Sequence, residues 1–188
     1  MWWALIAIIA IVVVIGLAIA GIYNAFVRLR NQVKNAWAQI DVQLKRRYDL
    51  IPNLVETVKG YAKHERETLQ MVTAARNMAQ QLSSAGAGER AKVEGELSTA
   101  LGRLLAVAES YPDLKANQNF LALQEELAST ENKISFARQY YNDSVLRFNN
   151  KAQQFPSNIV ATMFGFRAQE FFETTVAIER EAPKVSFS

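Results

Sequence analysis

"RRYDLIPNLVETVKGYAKHE" (residues 46–65) sets a proline between two runs of helix-forming residues, and the fold depends on what Pro52 does there. The apolar positions on either side keep one phase. Val33, Trp37, Ile40, Leu44 and Ile51 lead up to it, and Leu54, Val55, Val58, Ala62, Leu69, Val72, Ala75 and Leu82 continue beyond it, mostly three, four or seven residues apart. A domain boundary would bring a polar loop and reset that phase. A kink in one continuous helix fits the pattern better. Proline removes one backbone donor and presses its ring on the carbonyl of Tyr48, a conflict of about 3 kcal/mol in a straight helix that bending relieves. The rival is a full break with Pro52 at the first position of a new helix. Ile51 would then be the N-cap, a role isoleucine fills poorly.

Toward the amino terminus the character changes. Trp2 to Ile22, "WWALIAIIAIVVVIGLAIAGI", is apolar at all 21 positions, and the first charged side chain is Arg28. A helix of that length covers roughly 31 Å, about the thickness of a hydrocarbon core. Cleavage as a signal peptide is the competing reading, since "AIA" at 18–20 offers small residues at the right spacing. The start, however, lacks a basic n-region, and the apolar run exceeds an ordinary h-region. A retained single-pass anchor is therefore expected. Arg28, Arg30 and Lys34 follow the span and no basic side chain precedes it, so the body is expected in the cytoplasm and these three residues at the lipid interface.

Toward the carboxyl terminus the pattern stays helical. "SSAGAG" (83–88) reads as a turn, with Glu89 opening the next helix, and Val93, Leu97, Leu101, Leu104 and Ala108 carry that helix to a second turn at "SYPDLKAN". Phe120, Leu127, Ile134, Tyr141 and Phe148 then recur every seven residues, with Leu123, Thr130, Ala137 and Ser144 three residues after each of the first four. One large and one small line of this kind suit close packing in an intramolecular bundle; a coiled-coil seam for self-association is the sharper alternative. Pro156 starts a short last helix and Gly165 stops it. The expected fold is all-α: an anchor and junction at 1–27, an antiparallel helical bundle at 28–172 with its kink at Pro52, and an extended tail at 173–188.

Reactive chemistry is scarce. The chain has no cysteine and one histidine, His64, so thiolate chemistry and multi-histidine metal sites are excluded. His64-Glu65 opens like a zinc motif, but Thr68 stands where the second histidine belongs, and His64 reads as a solvated helix residue. Glu94, Glu96, Glu125 and Glu126 read as solvated faces. No catalytic, cofactor-binding or metal residue is assigned, and an enzyme is not expected.

Charge is unevenly spread. Residues 28–66 hold nine Lys or Arg against four acids, and residues 67–188 hold twelve against fourteen. Lys45, Arg46 and Arg47 would stand roughly 35 Å beyond the span on a straight helix, several Debye lengths from lipid. They form either ordinary ion pairs with Asp41, Asp49 or acids on neighbouring helices, or a docking site for an acidic partner. No motif for nucleic acid accompanies them. Phe164, Phe166, Phe171 and Phe172, with Phe155, cap the bundle or, where exposed, mark a second partner surface.

The span leading into "YNAFVRLRNQVKNAWAQIDVQLKRRYDLIPNLVETVKGYAKHE", then "ARQYYNDSVLRFNNKAQQFPSNIVATMFGF" and a closing "PKVSF", resembles the LemA family of bacterial membrane proteins over nearly the whole chain. The resemblance implies one membrane anchor, a helical bundle of cytoplasmic type and no catalytic residues to carry over. Family genes beside membrane metalloproteases and envelope proteins imply an accessory role. The expected function is a non-enzymatic scaffold or adaptor whose partners are the lipid bilayer, a second copy of the chain and an unidentified membrane protein or protease. The alternative is a regulatory subunit of a membrane protease or envelope-stress pathway. Gly16 with Ala20, and Gly21 with Ala25, are small-residue pairs through which anchors could self-associate.

Overall fold

The structure, a computed structural model, describes residues 2–173 and is all-α, with six helices and no strand among the described residues. Helix α1 runs from Trp2 to Tyr61, α2 from Arg66 to Gln81, α3 from Ala87 to Ala108, α4 from Pro112 to Lys115, α5 from Gln118 to Gln153 and α6 from Ser157 to Phe164. The tail expected at 173–188 lies, beyond Glu173, outside the described residues.

Pro52 does not end a helix, because α1 passes through it without interruption. The reason lies in α2. The missing N–H of Pro52 leaves the Tyr48 carbonyl without its usual intrahelical donor, and the Arg76 Nε–H from α2 donates to that oxygen at 2.8 Å. A tertiary contact thus supplies what the sequence removed.

The first break falls after Tyr61, within a stretch whose unbroken apolar phase suggests helix as far as the turn at 83–88. Residues 62–65 form a turn that carries His64, so this side chain is exposed on a loop, not on a helix. Ala62, at the start of the turn, and Leu69, in α2, are both buried, so the apolar spacing runs on although the helix does not. The second turn also ends earlier than expected, with α3 starting at Ala87. Asn117 caps α5: its Oδ1 accepts the Phe120 N–H at 3.0 Å while its Nδ2 donates to the Tyr61 hydroxyl at 2.9 Å.

The described residues divide into two compact units, residues 2–40 with 137–169, and residues 41–136 with 170–173. In the first unit the Phe26 and Phe148 rings meet at 5.8 Å and Trp37 and Tyr141 at 5.1 Å, so α1 and the second half of α5 run antiparallel. Helix α6 closes that unit. It ends in a Schellman motif, with Gly165 in the left-handed region at φ 70° and the Phe166 N–H donating to the Ala161 carbonyl at 2.9 Å. Beyond it Asn149 holds the chain by a two-way amide contact, donating to the Gln169 carbonyl at 2.9 Å and accepting from the Gln169 N–H at 2.8 Å.

In the second unit α2 and α3 fold back as a hairpin on α1, and the first half of α5 covers it. The heptad positions of α5 are buried in both units: Phe120, Leu127, Ile134, Tyr141 and Phe148 on the large line, Thr130, Ala137 and Ser144 on the small one. These lines are therefore spent within the chain. Thr130 and Ser144 satisfy their hydroxyls on the carbonyls four residues back, at 2.8 and 2.7 Å, which lets small polar residues sit in the core.

Candidate functional site

Two groups of side chains stand out, one in each unit. The first gathers where the apolar segment of α1 ends. Tyr23 follows Ile22 directly, and its ring lies 4.9 Å from Phe164 and 5.7 Å from Phe166. Phe166 stacks on Phe26 at 4.7 Å, and the Arg30 guanidinium lies 5.6 Å from the Phe166 ring centre. Arg28, Arg30 and Lys34 are exposed on α1, and all the apolar side chains of the segment before Ile19 are exposed as well. An added Cβ at Gly16 or Gly21 would meet nothing, so the helix surface is open at each of these positions.

The second group is buried in the other unit and was not legible as a site. Arg47, expected on a partner surface, is fully enclosed. It sits three residues after Leu44 and four before Ile51, in phase with the core stripe, and there the guanidinium must find partners. One Nη donates to Glu131 at 2.7 Å and to the Ser98 hydroxyl at 2.9 Å; the other donates to Glu94. Glu94, expected on a solvated face, is likewise buried, because it lies three residues before Leu97 on the inner side of α3. Tyr48 donates its hydroxyl to the same carboxylate.

Burial alone would pull the Arg47 pKa down, yet Glu131 and Glu94 outweigh it and hold the pKa above the ordinary arginine value. Tyr48 is raised well above a normal phenol, first by burial and then by its hydrogen bond to Glu94. Arg90, also buried, pairs with Asp41. Every member of this cluster faces another member, so its chemistry is internal charge neutralisation. A charged residue in phase with an apolar stripe was the signal available in the sequence.

The remaining expected site residues separate. Lys45 is exposed beside a cleft of about 410 Å³ lined also by Asp41, Tyr48, Gln80 and Arg90. Arg46 is half-exposed and paired with Glu126 at 2.6 Å. Thus the basic triplet splits into one solvent-facing lysine, one surface ion pair and one buried ion pair, and only the first two can meet a partner. The phenylalanines split too. Phe164 and Phe166 belong to the aromatic group at Tyr23, whereas Phe172 is buried in the other unit and Phe171 lines an open groove with Gly86, Gly88 and Glu89. Phe172 is thereby removed from the expected partner surface. Among the described residues no three acidic or imidazole side chains converge to hold a metal ion.

Helix α1 holds an apolar stretch long enough, by length and composition, to cross a membrane, and this defines the class as all-α proteins with one candidate membrane span. Within it, residues 36–187 match the LemA family model, and the chain belongs to that family. It is 31% identical to protein LemA of Metamycoplasma hominis, an alignment covering 73% of this chain and 63% of that protein. It is 24% identical to magnetosome protein MamQ 2 of Paramagnetospirillum magneticum and to magnetosome protein MamQ of Magnetospirillum gryphiswaldense, each over 80% of this chain and 64% of the relative. The chain thus spans a little under two thirds of the length of these curated relatives.

Proposed function

We propose that the chain is a non-enzymatic scaffold or adaptor of the bacterial inner membrane, anchored by a single span, with its helical body in the cytoplasm. The observation that carries this reading is the unbroken course of α1. One helix holds both the apolar segment and a core face of the bundle, so no flexible linker separates anchor from body. A helix joined this way transmits the position of the membrane to the surfaces built on it. The basic residues after Ile22 support the cytoplasmic orientation. That relatives are named for the magnetosome is consistent with a role in organising a cellular structure.

The absence of cysteine makes single-cysteine variants clean reporters. Lys92→Cys on the exposed side of α3 is expected to resist an impermeant maleimide in intact cells and to react after the inner membrane is opened. Reaction in intact cells would reverse the orientation. Photo-cross-linking from positions 46 and 164 is expected to capture further copies of the chain or several envelope proteins. A single stoichiometric protease partner would replace the scaffold with a regulatory subunit. Self-association through the open surface of either small-residue pair, Gly16 with Ala20 or Gly21 with Ala25, predicts a native mass above that of one chain in mild detergent.

A further inference from the structure

We infer that α6 is a second membrane contact: a short helix lying in the headgroup layer of an anionic bilayer, with Phe155, Ile159 and Met163 as the side chains that enter the lipid. This rests on the reading of α1 as a membrane span. Ile159 and Met163, one turn apart, lie on one face of α6 and are 54% and 62% exposed, and Phe155, in the turn that leads into the helix, is 81% exposed. Asn158 and Thr162, also exposed, form the neighbouring polar stripe, while Ser157, Val160 and Ala161 face the protein. An apolar stripe beside a polar one on a helix of eight residues is the pattern of an interfacial segment.

What identifies lipid as the occupant is where this helix is held. Its last residue, Phe164, packs on Tyr23, the first residue after the apolar segment, and the Schellman turn at Gly165 folds Phe166 onto Phe26. The carboxyl end of α6 is thus pinned at the point where α1 leaves the hydrocarbon. The polar layer of a bilayer is about 5–8 Å deep on each side, and Tyr is favoured there. The charge agrees. Residues 1–40 and 137–169 contain seven Lys or Arg and one acid, Asp143, which favours an anionic leaflet over a neutral or basic apolar groove. The lone exposed Phe155 at the entry to α6 is explained by the same placement.

The test uses the full chain reconstituted in vesicles of phosphatidylcholine and phosphatidylglycerol. Environment-sensitive fluorophores are placed singly at Ile159→Cys, Met163→Cys, Thr162→Cys and Val12→Cys. Labels at 159 and 163 are expected to shift to the blue and lose most of their emission to lipids spin-labelled near the headgroup, while the label at 162 is quenched chiefly by aqueous iodide. Quenching at 159 and 163 by iodide and not by lipid would overturn the inference. So would a spectral change that follows the protein-to-lipid ratio, which would mean that a second copy covers this face. Quenching of the label at 12 by lipids spin-labelled at mid-chain reports the span separately. If that label too stays in water, the anchor itself fails, and the contact of α6 fails with it.

Discussion

The unit that carries the apolar segment and the unit that carries the α2–α3 hairpin handle charge in opposite ways. The former has seven basic residues to one acid and leaves Arg28, Arg30 and Lys34 in solvent; the latter has, among its described residues, twelve basic to fifteen acidic and encloses Arg47 and Glu94 in its core. A surplus of one sign on an exposed helix acts on something outside the protein. Charges of both signs in a core act on each other, and their removal is felt as stability. The same residue type therefore stays available to an outside partner in one place and serves architecture in the other.

The sharpest way to break this contrast is to remove one buried partner. Arg47→Ala leaves Glu94 enclosed without its guanidinium and is expected to destabilise the fold by about 3–5 kcal/mol in denaturant titration, whereas Arg28→Gln should stay within about 0.5 kcal/mol of the parent. Equal effects would erase the distinction between the units. Next in size is the alkaline limb. Folding raises the Tyr48 pKa, so the folded chain binds the proton more tightly than the unfolded one. The stability this gives is complete below the unfolded value of about 10 and is lost as pH climbs toward the raised folded value. Tyr48→Phe is expected to flatten the fall of unfolding free energy above pH 10 by up to about 1.4 kcal/mol per pH unit. An unchanged slope would show that Tyr48 ionises alike in both states.

Smaller effects sharpen the picture at Pro52. Arg76→Ala removes the donor to the Tyr48 carbonyl, but in a Pro52→Ala background the new N–H of residue 52 takes over that oxygen. A double-mutant cycle should therefore show coupling of about 1 kcal/mol, and strict additivity would mean that the arginine acts elsewhere. Arg46→Ala, which breaks only the half-exposed pair with Glu126, is expected to cost less than about 1 kcal/mol and to cost less again in high salt. A loss as large as that of Arg47→Ala would place Arg46 in the same network.

Most of the fold could be read from periodicity. The seven-residue recurrence from Phe120 to Phe148 marks core positions because one face of a long helix repeats at nearly that interval, and those residues are buried. Gly165 stops α6 because the chain needs a left-handed residue there. Periodicity failed where two helices shared a phase by chance: Ala62 and Leu69 kept the stripe intact across the turn at 62–65. It also failed for charged residues. A stripe argument assigns Lys, Arg and Glu to the outside by type, and Arg47 and Glu94 are inside because each neutralises the other.

The apolar segment, the all-α class and the basic excess along residues 28–66 could thus be read from the sequence alone, since each follows from residue type and local spacing. Which carbonyl Arg76 serves, which of three adjacent basic residues is buried, and which phenylalanines meet Tyr23 were decided by tertiary structure. Those are pairings between residues far apart in the chain, and no local spacing encodes the partner that makes a buried charge or an orphaned carbonyl tolerable.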